Sequence, residues 1–182
     1  MNKKVEKTRR KLREALLALI DNKDLDQITV SELCAKARIN RTTFYKYYAL
    51  PVDVLREYFQ EINDLILGQI QDTTTASASL DIQAKMLHVC QVYYDHQQHM
   101  RILVKNIPDI MPQFSQVILQ TRVGEIRELS LIYFIAGGVT AMILQWVMSS
   151  FALSPLEISQ ILTRYIVRLL SAETKDISGT QN

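Results

Sequence analysis

Glycine and proline are scarce in this 182-residue chain, at 5 and 4 residues. That excludes collagen-like and low-complexity architectures, and it leaves a sheet built on glycine turns without its punctuation. Cysteine is scarcer still, at two. Cys34 and Cys90 stand in no CxxC or CxxH spacing, so neither a disulfide framework nor a zinc site is indicated. There is no glycine-rich phosphate loop, no nucleophile motif around Ser or Cys, and no carboxylate pair in a defined setting. No enzyme is therefore expected, and no cofactor or metal is called for. The charged N-terminus, Met1 to Lys7, lacks the apolar stretch of a signal peptide, which makes the cytoplasm the expected location.

What is present is apolar and helix-forming. Hydrophobic residues make up 48% of the chain, enough for one substantial core or for a small headpiece beside a larger domain. Leu, Ile, Gln and Ala are plentiful and turn residues few, so the expected class is all-α, with long helices on short connections.

Charge is divided unevenly. Residues 1–48 hold 12 of the 21 Lys and Arg and 6 of the 19 Asp and Glu, a net +6, which leaves −4 on the remainder. A basic head on an acidic body implies that the head meets a polyanion. One stretch lacks charge altogether: nothing between Glu128 and Glu157 is ionised, and Leu131 to Met148 is nearly all apolar. Such a run fits a membrane span by length. It fits equally a helix buried on all sides in a dimer core, and Gln145 within it and the lack of a flanking Lys/Arg cluster favour the second reading, with no membrane.

Hydrophobic periodicity predicts about nine helices and no strand. The first runs from about Lys3 to Asp21 on the stripe Val5, Leu12, Leu16, Leu19 and Ile20, with Lys4, Lys7, Arg10, Lys11 and Arg13 mostly off it. Thr29 stands three residues before Glu32, the Thr-x-x-Glu capping box that opens a helix over Val30 to Ala37. Asn40 is placed to cap the next, Arg41 to about Tyr47. Two short helices on so tight a break predict a helix-turn-helix. Pro51 suits the first position of a fourth helix. Further helices are predicted from Leu80 to about His96, Met100 to Ile107, Ile110 to Thr121, Glu125 to Ser150 and Pro155 to about Ala172.

The helix from Arg41 carries groups suited to DNA. Arg41 can donate two hydrogen bonds to guanine, and Thr42 and Thr43 offer hydroxyls and methyls. Lys46 supplies charge, and Tyr45 and Tyr47 suit phosphates and sugars. Thr29 and Ser31, at the start of the preceding helix, complete the expected contact set. Phe44 and Tyr48, four apart, share the opposite face and should join Ile28, Leu33, Ala37 and Ile39 in the core.

The run Thr29-Val30-Ser31-Glu32-Leu33-Cys34-Ala35-Lys36-Ala37-Arg38-Ile39-Asn40-Arg41-Thr42-Thr43-Phe44-Tyr45-Lys46-Tyr47-Tyr48 resembles the signature of the TetR family of regulators. The likeness extends forward through Asp53-Val54-Leu55 and back to Arg9, about the first 55 residues. Two positions depart from the family pattern: Arg38 replaces the usual glycine of the turn, and Pro51 stands where many members place a lysine. Phe134-Ile135-Ala136-Gly137-Gly138-Val139, with Trp146 and Leu153 to Glu157, resembles a recurring C-terminal domain of that family. The resemblance implies a DNA-binding domain over residues 1–50 and a helical effector-binding and dimerisation domain over 51–182. It implies a homodimer on a double-stranded DNA operator, with Gly137, Gly138, Ala141, Gln145, Ile158, Ile161, Leu162 and Tyr165 at the subunit interface. The effector is a small molecule or a partner protein. Met86, Tyr93, Met100, Met111, Phe114 and Trp146 are candidates for an effector pocket, the alternative being plain core packing. His88, Cys90, Asp95, His96 and His99 invite a metal reading, set aside because a helix end is expected between His96 and His99.

Overall fold

The computed structural model describes residues 3–70, 78–121 and 129–179, with side chains for 3–69, 81–121 and 129–171. Among them are nine α-helices, one short 3-10 turn and no strand. The helices are α1 (Lys3–Ile20), α2 (Val30–Ala37), α3 (Arg41–Phe44), α4 (Pro51–Ile70), α5 (Ala78–Asp95), α6 (Gln97–Asn106), α7 (Ile110–Gln120), α8 (Leu129–Met148) and α9 (Pro155–Gly179). Of the low-complexity stretch Thr73 to Ser79 expected to stop the fourth helix, 73–77 lies outside the described residues, as does the expected helix start near Glu125, and Ala78 and Ser79 already belong to α5. Most expected boundaries hold to within a few residues. Two differ more: α3 is a single turn, with Tyr45 to Tyr47 in hydrogen-bonded turns, and α9 runs on to Gly179.

The chain divides into two compact units. The head comprises residues 1–61 together with 99–108, and the body comprises 62–98 together with 109–182. The head is thus larger than the 1–50 expected, and it is discontinuous in sequence.

In the head, α1 packs on α2 and α2 on α3. Leu12 and Leu16 are buried one helical turn apart, with Ile28, Leu33, Ala37, Phe44, Tyr48, Leu55 and Phe59 also removed from solvent. The second piece contributes Met100, Leu103 and Ile107, likewise buried. It is tied on by a Tyr58 Oη to His99 Nδ1 hydrogen bond of 3.0 Å and a Lys105 to Asp24 ion pair of 3.5 Å. Met100, expected in a pocket of the C-terminal domain, falls in the head, because α6 from His99 onward clusters with residues 1–61.

The turn between α2 and α3 explains the departure at position 38. Arg38 N–H donates to Ala35 O at 3.2 Å and Ile39 N–H to Cys34 O at 2.9 Å, the paired bonds of a Schellman cap. That cap needs a left-handed residue, and Arg38 adopts φ 57°, ψ 46°. A side chain with a Cβ is strained there where glycine is not. Arg38→Gly is therefore expected to raise head stability by about 0.5–1 kcal/mol. A thermal or urea midpoint unmoved or lowered in this variant would count against strain at the cap.

In the body, α5 packs on α9, α7 on α8, and α8 on α9. Met86, Tyr93 and Phe114 are wholly buried, and the Tyr93 and Phe114 rings lie 5.0 Å apart. Three pairs satisfy buried polar groups of the body: Tyr93 Oη donates to Asn63 Oδ1 at 3.1 Å, Gln83 Nε2 to Ser159 Oγ at 3.0 Å, and Ser115 and Thr140 share a bond of 3.1 Å, while His88 Nε2 is buried with no hydrogen-bond partner among the described residues. The corner between α8 and α9 repeats the Schellman pattern, with Ser150 and Phe151 both at positive φ. Phe151 packs edge-on against Trp146, whose indole N–H donates to Leu153 O at 2.9 Å. Ser154 and Glu157 then open α9 with a full capping box, each backbone N–H bonded to the other's side chain.

Candidate nucleic-acid interface

Both short helices of the head are capped as their sequences demand. Thr29 Oγ1 accepts from Glu32 N–H at 3.2 Å, and Asn40 Oδ1 accepts from Thr42 N–H at 2.9 Å. The capping box at Thr29 is only half made: the Glu32 carboxylate pairs with Lys23. The missing reciprocal half appears at the next helix instead, where Asp53 Oδ2 accepts from Ala49 and Leu50 N–H at 3.0 and 2.8 Å. Asp53 thereby places a carboxylate on the two amides that lead into α4, beside a Pro51 that brings no lysine charge.

Phe44 and Tyr48 point inward as the helical phase requires, fully and nearly fully buried, with ring centroids 5.5 Å apart. The eight expected contact residues occupy the outside. Thr29, Ser31, Arg41, Thr42, Tyr45 and Lys46 are exposed, Tyr45 at 53%, and Thr43 and Tyr47 are half-buried. Arg41 and Lys46 have no carboxylate partner among the described residues, so their charge is available to an outside anion. Cys34, directly behind this surface, is inert: burial pushes its thiol pKa up, and the Arg41 charge offsets that only in part.

Not every basic residue of α1 is available. Arg9 pairs with Glu57 at 2.8 Å, and Arg13 pairs with Glu61 while lying 4.4 Å from the Tyr58 ring centroid. These two arginines fasten α1 to α4. Lys3, Lys4, Lys7, Arg10 and Lys11 are exposed, and Arg10 pairs with Glu14 at 3.7 Å. Sequence reasoning missed this division, although Arg9 and Arg13 are four apart, as are Glu57 and Glu61, a spacing that matches two ladders across a helix pair.

The body carries a second surface. Phe134, Gly138, Ala141, Gln145 and Met148 recur at intervals of three and four along α8, and all five are exposed, Phe134 at 69%. The stripe holds no charge. Grooves of about 540 and 390 Å³ lie between α8 and α9, the first bounded by Phe134, Gly138, Met142, Tyr165 and Arg168, the second by Ala141, Gln145, Trp146 and Ile161. A Cβ built on Gly137 or Gly138 meets nothing of its own chain within 4 Å. Of the expected interface residues, Gly138, Ala141, Gln145 and Tyr165 are exposed and Gly137 and Ile161 half-buried; Ile158 and Leu162 are buried within the chain's own core.

The expected effector-pocket residues are not gathered in one place. Met86, Tyr93 and Phe114 are packed solid in the body core, Trp146 is pinned at the α8–α9 corner, and Met111 is exposed. His96 and His99 are each engaged elsewhere, the first with Val92 O at 2.8 Å and the second with Tyr58. Cys90 is wholly buried, its thiol pKa pushed up to about 12 by desolvation.

Head and body together define an all-helical protein with a helix-turn-helix at its N-terminal end. No family model matches the sequence. The uncharacterized HTH-type transcriptional regulator YxbF of Bacillus subtilis (strain 168) is 25% identical over 80 residues, 44% of this chain. The matched stretch spans about a fifth of that relative's length, 21%. Among solved structures, a TetR transcriptional regulator from Streptococcus agalactiae superposes with a TM-score of 0.67 at 16% identity, over 90% of this chain and 95% of that one. The TetR family repressor AlkX from Dietzia sp. superposes with a TM-score of 0.57 at 15% identity, over 89% and 97%. The chain has the fold of the TetR-family transcriptional regulators.

Proposed function

We propose that this protein is a sequence-specific DNA-binding transcriptional regulator, acting as a cytoplasmic homodimer that represses from a palindromic operator until an effector releases it. The observation that carries the reading is the two-sided α2–α3 segment. Its inner face is sealed by Phe44 and Tyr48, and its outer face offers Arg41 and Lys46 unpaired among hydroxyl and phenol groups. A short helix of this kind enters the major groove, where its first side chains reach base edges. Two copies joined along the α8 stripe would present two such segments to successive grooves, about 34–36 Å apart or slightly more.

The signal that relieves binding has two candidate sources. Release by a small molecule requires room in the body, and of the residues expected to line that room Met86, Tyr93, Phe114 and Trp146 are buried. A partner protein docking on an apolar surface accounts better for that packing, with activation or co-regulation as the output.

Selection of duplexes from a random pool by the full chain tests DNA reading directly. On a recovered duplex, Arg41→Ala is expected to weaken binding about ten- to a hundredfold and to relax preference at one base pair. Lys46→Ala is expected to lower the salt slope by about one, uniformly across sequences. Unchanged affinity in the Arg41 variant, or a pool that fails to enrich, would overturn the assignment.

A further inference from the structure

The segment that carries Tyr45, Lys46 and Tyr47 is not held by a helix. Regular α3 ends at Phe44, and beyond it the backbone bonds are those of single turns, Tyr47 N–H and Tyr48 N–H both donating to Phe44 O at 2.9 and 3.0 Å. One helical turn is far too short to be stable alone. Tyr45 packs edge-on against Phe44 within the segment, and what holds the chain beyond it must come in part from outside. The structure shows where.

Tyr48 Oη donates a hydrogen bond to Glu57 Oε2 on α4, and Glu57 Oε1 accepts from Arg9 Nη1 on α1 at 2.8 Å. The Arg9 guanidinium lies over the Tyr47 ring, 5.5 Å from its centroid. The Arg9 Nε is buried with no hydrogen-bond partner, a cost accepted in a placement governed by Glu57 and the Tyr47 ring. Three elements thus meet at one carboxylate, which fixes Tyr48 directly and Tyr47 through Arg9.

We infer that Glu57 is a positioning residue for DNA recognition: with Tyr48 and Arg9 it forms a latch that sets the pose of Tyr45 to Tyr47 without itself touching the nucleic acid. This rests on the DNA-binding reading above. A latch of this kind has a signature that a phosphate contact lacks. Losing a phosphate contact lowers both affinity and its dependence on salt, because fewer counterions are released. Losing the latch lowers affinity alone, since every charged contact remains available once the segment is ordered.

The test uses the full chain and a labelled duplex recovered from the random-pool selection, with binding followed by fluorescence anisotropy across a salt series. Tyr48→Phe removes only the hydroxyl. It is expected to weaken binding about five- to tenfold with the salt slope unchanged. Glu57→Leu, which removes the acceptor from the other side, should reproduce that loss. Glu57→Gln keeps an acceptor for Tyr48 and should recover most of it. If Tyr48→Phe and Glu57→Leu shift the thermal midpoint but leave affinity within twofold of the parent, the latch is structural only and the inference fails. A drop in salt slope would make Tyr48 a phosphate contact, which also overturns it. Arg41→Ala, measured alongside, separates the two levels: its loss of binding with no effect of Tyr48→Phe sinks the latch alone, and its failure to weaken binding sinks the DNA reading with it.

Discussion

Replacing Phe44 by alanine is expected to unfold the head while the body stays folded. Phe44 is fully buried, with Tyr45 and Tyr48 packed 5.5 Å from its ring, and it is the only wholly buried side chain of α3. Truncating a buried phenylalanine costs about 3–5 kcal/mol, through lost burial and the cavity left behind. A unit of this size has about 5–15 kcal/mol in total, and α3 has no helical propensity to fall back on. The sole tryptophan makes the outcome easy to read. Trp146 lies in the body, so its fluorescence follows that unit, and circular dichroism sums both. A low-temperature loss of ellipticity without a change in tryptophan emission is the expected record, accompanied by loss of duplex binding. A single cooperative transition at the parental midpoint would mean that Phe44 is not the anchor described.

The second large effect is expected at Gly138. A side chain there meets nothing of its own chain, and an α-helix interior gains about 1 kcal/mol when glycine is replaced, so Gly138→Arg should leave the protomer folded. Placed in the middle of the uncharged α8 stripe, the guanidinium would have to be buried without a partner against a second copy, at a cost of several kcal/mol. On the homodimer reading proposed above, sedimentation should then show a dimer for the parent and monomers for the variant at micromolar concentration. Binding to a two-site operator should fall by at least about a hundredfold, because the second head no longer benefits from the high effective concentration set by the first. A variant that remains dimeric would move the interface elsewhere.

The parts of the fold legible in the sequence are those where local chemistry decides. Thr29 and Asn40 cap α2 and α3 where their side chains said they would, and Pro51 opens α4. Of the eight residues expected at DNA, six are exposed and Thr43 and Tyr47 are half-buried, because Phe44 and Tyr48 take the inward positions of the segment. The length of α3 was not legible, since Tyr45 to Tyr47 keep a helical spacing in sequence while the chain turns. Nor was the packing of Met86, Tyr93 and Phe114: a side chain that lines a cavity and one that fills a core have the same composition, and only the neighbours differ. The apolar run of α8 posed the same difficulty. The helix is long and apolar enough to cross a membrane, yet Ile135, Val139, Ile143 and Val147 are buried inside the body. Burial by the chain's own helices and an uncharged outward stripe produce an identical letter pattern.

The discontinuous head bears on how the protein is made. During synthesis, residues 1–61 emerge first with most of the helix-turn-helix complete, but Met100, Leu103 and Ile107 of the same unit follow only after the first stretch of body. Until then, the side of the nascent head that they cover stays open, with Tyr58 lacking His99 and Asp24 lacking Lys105. The head is finished only when the ribosome has delivered residue 108. A graft that transplants residues 1–50 onto another body would carry the α2–α3 segment and leave part of its foundation behind.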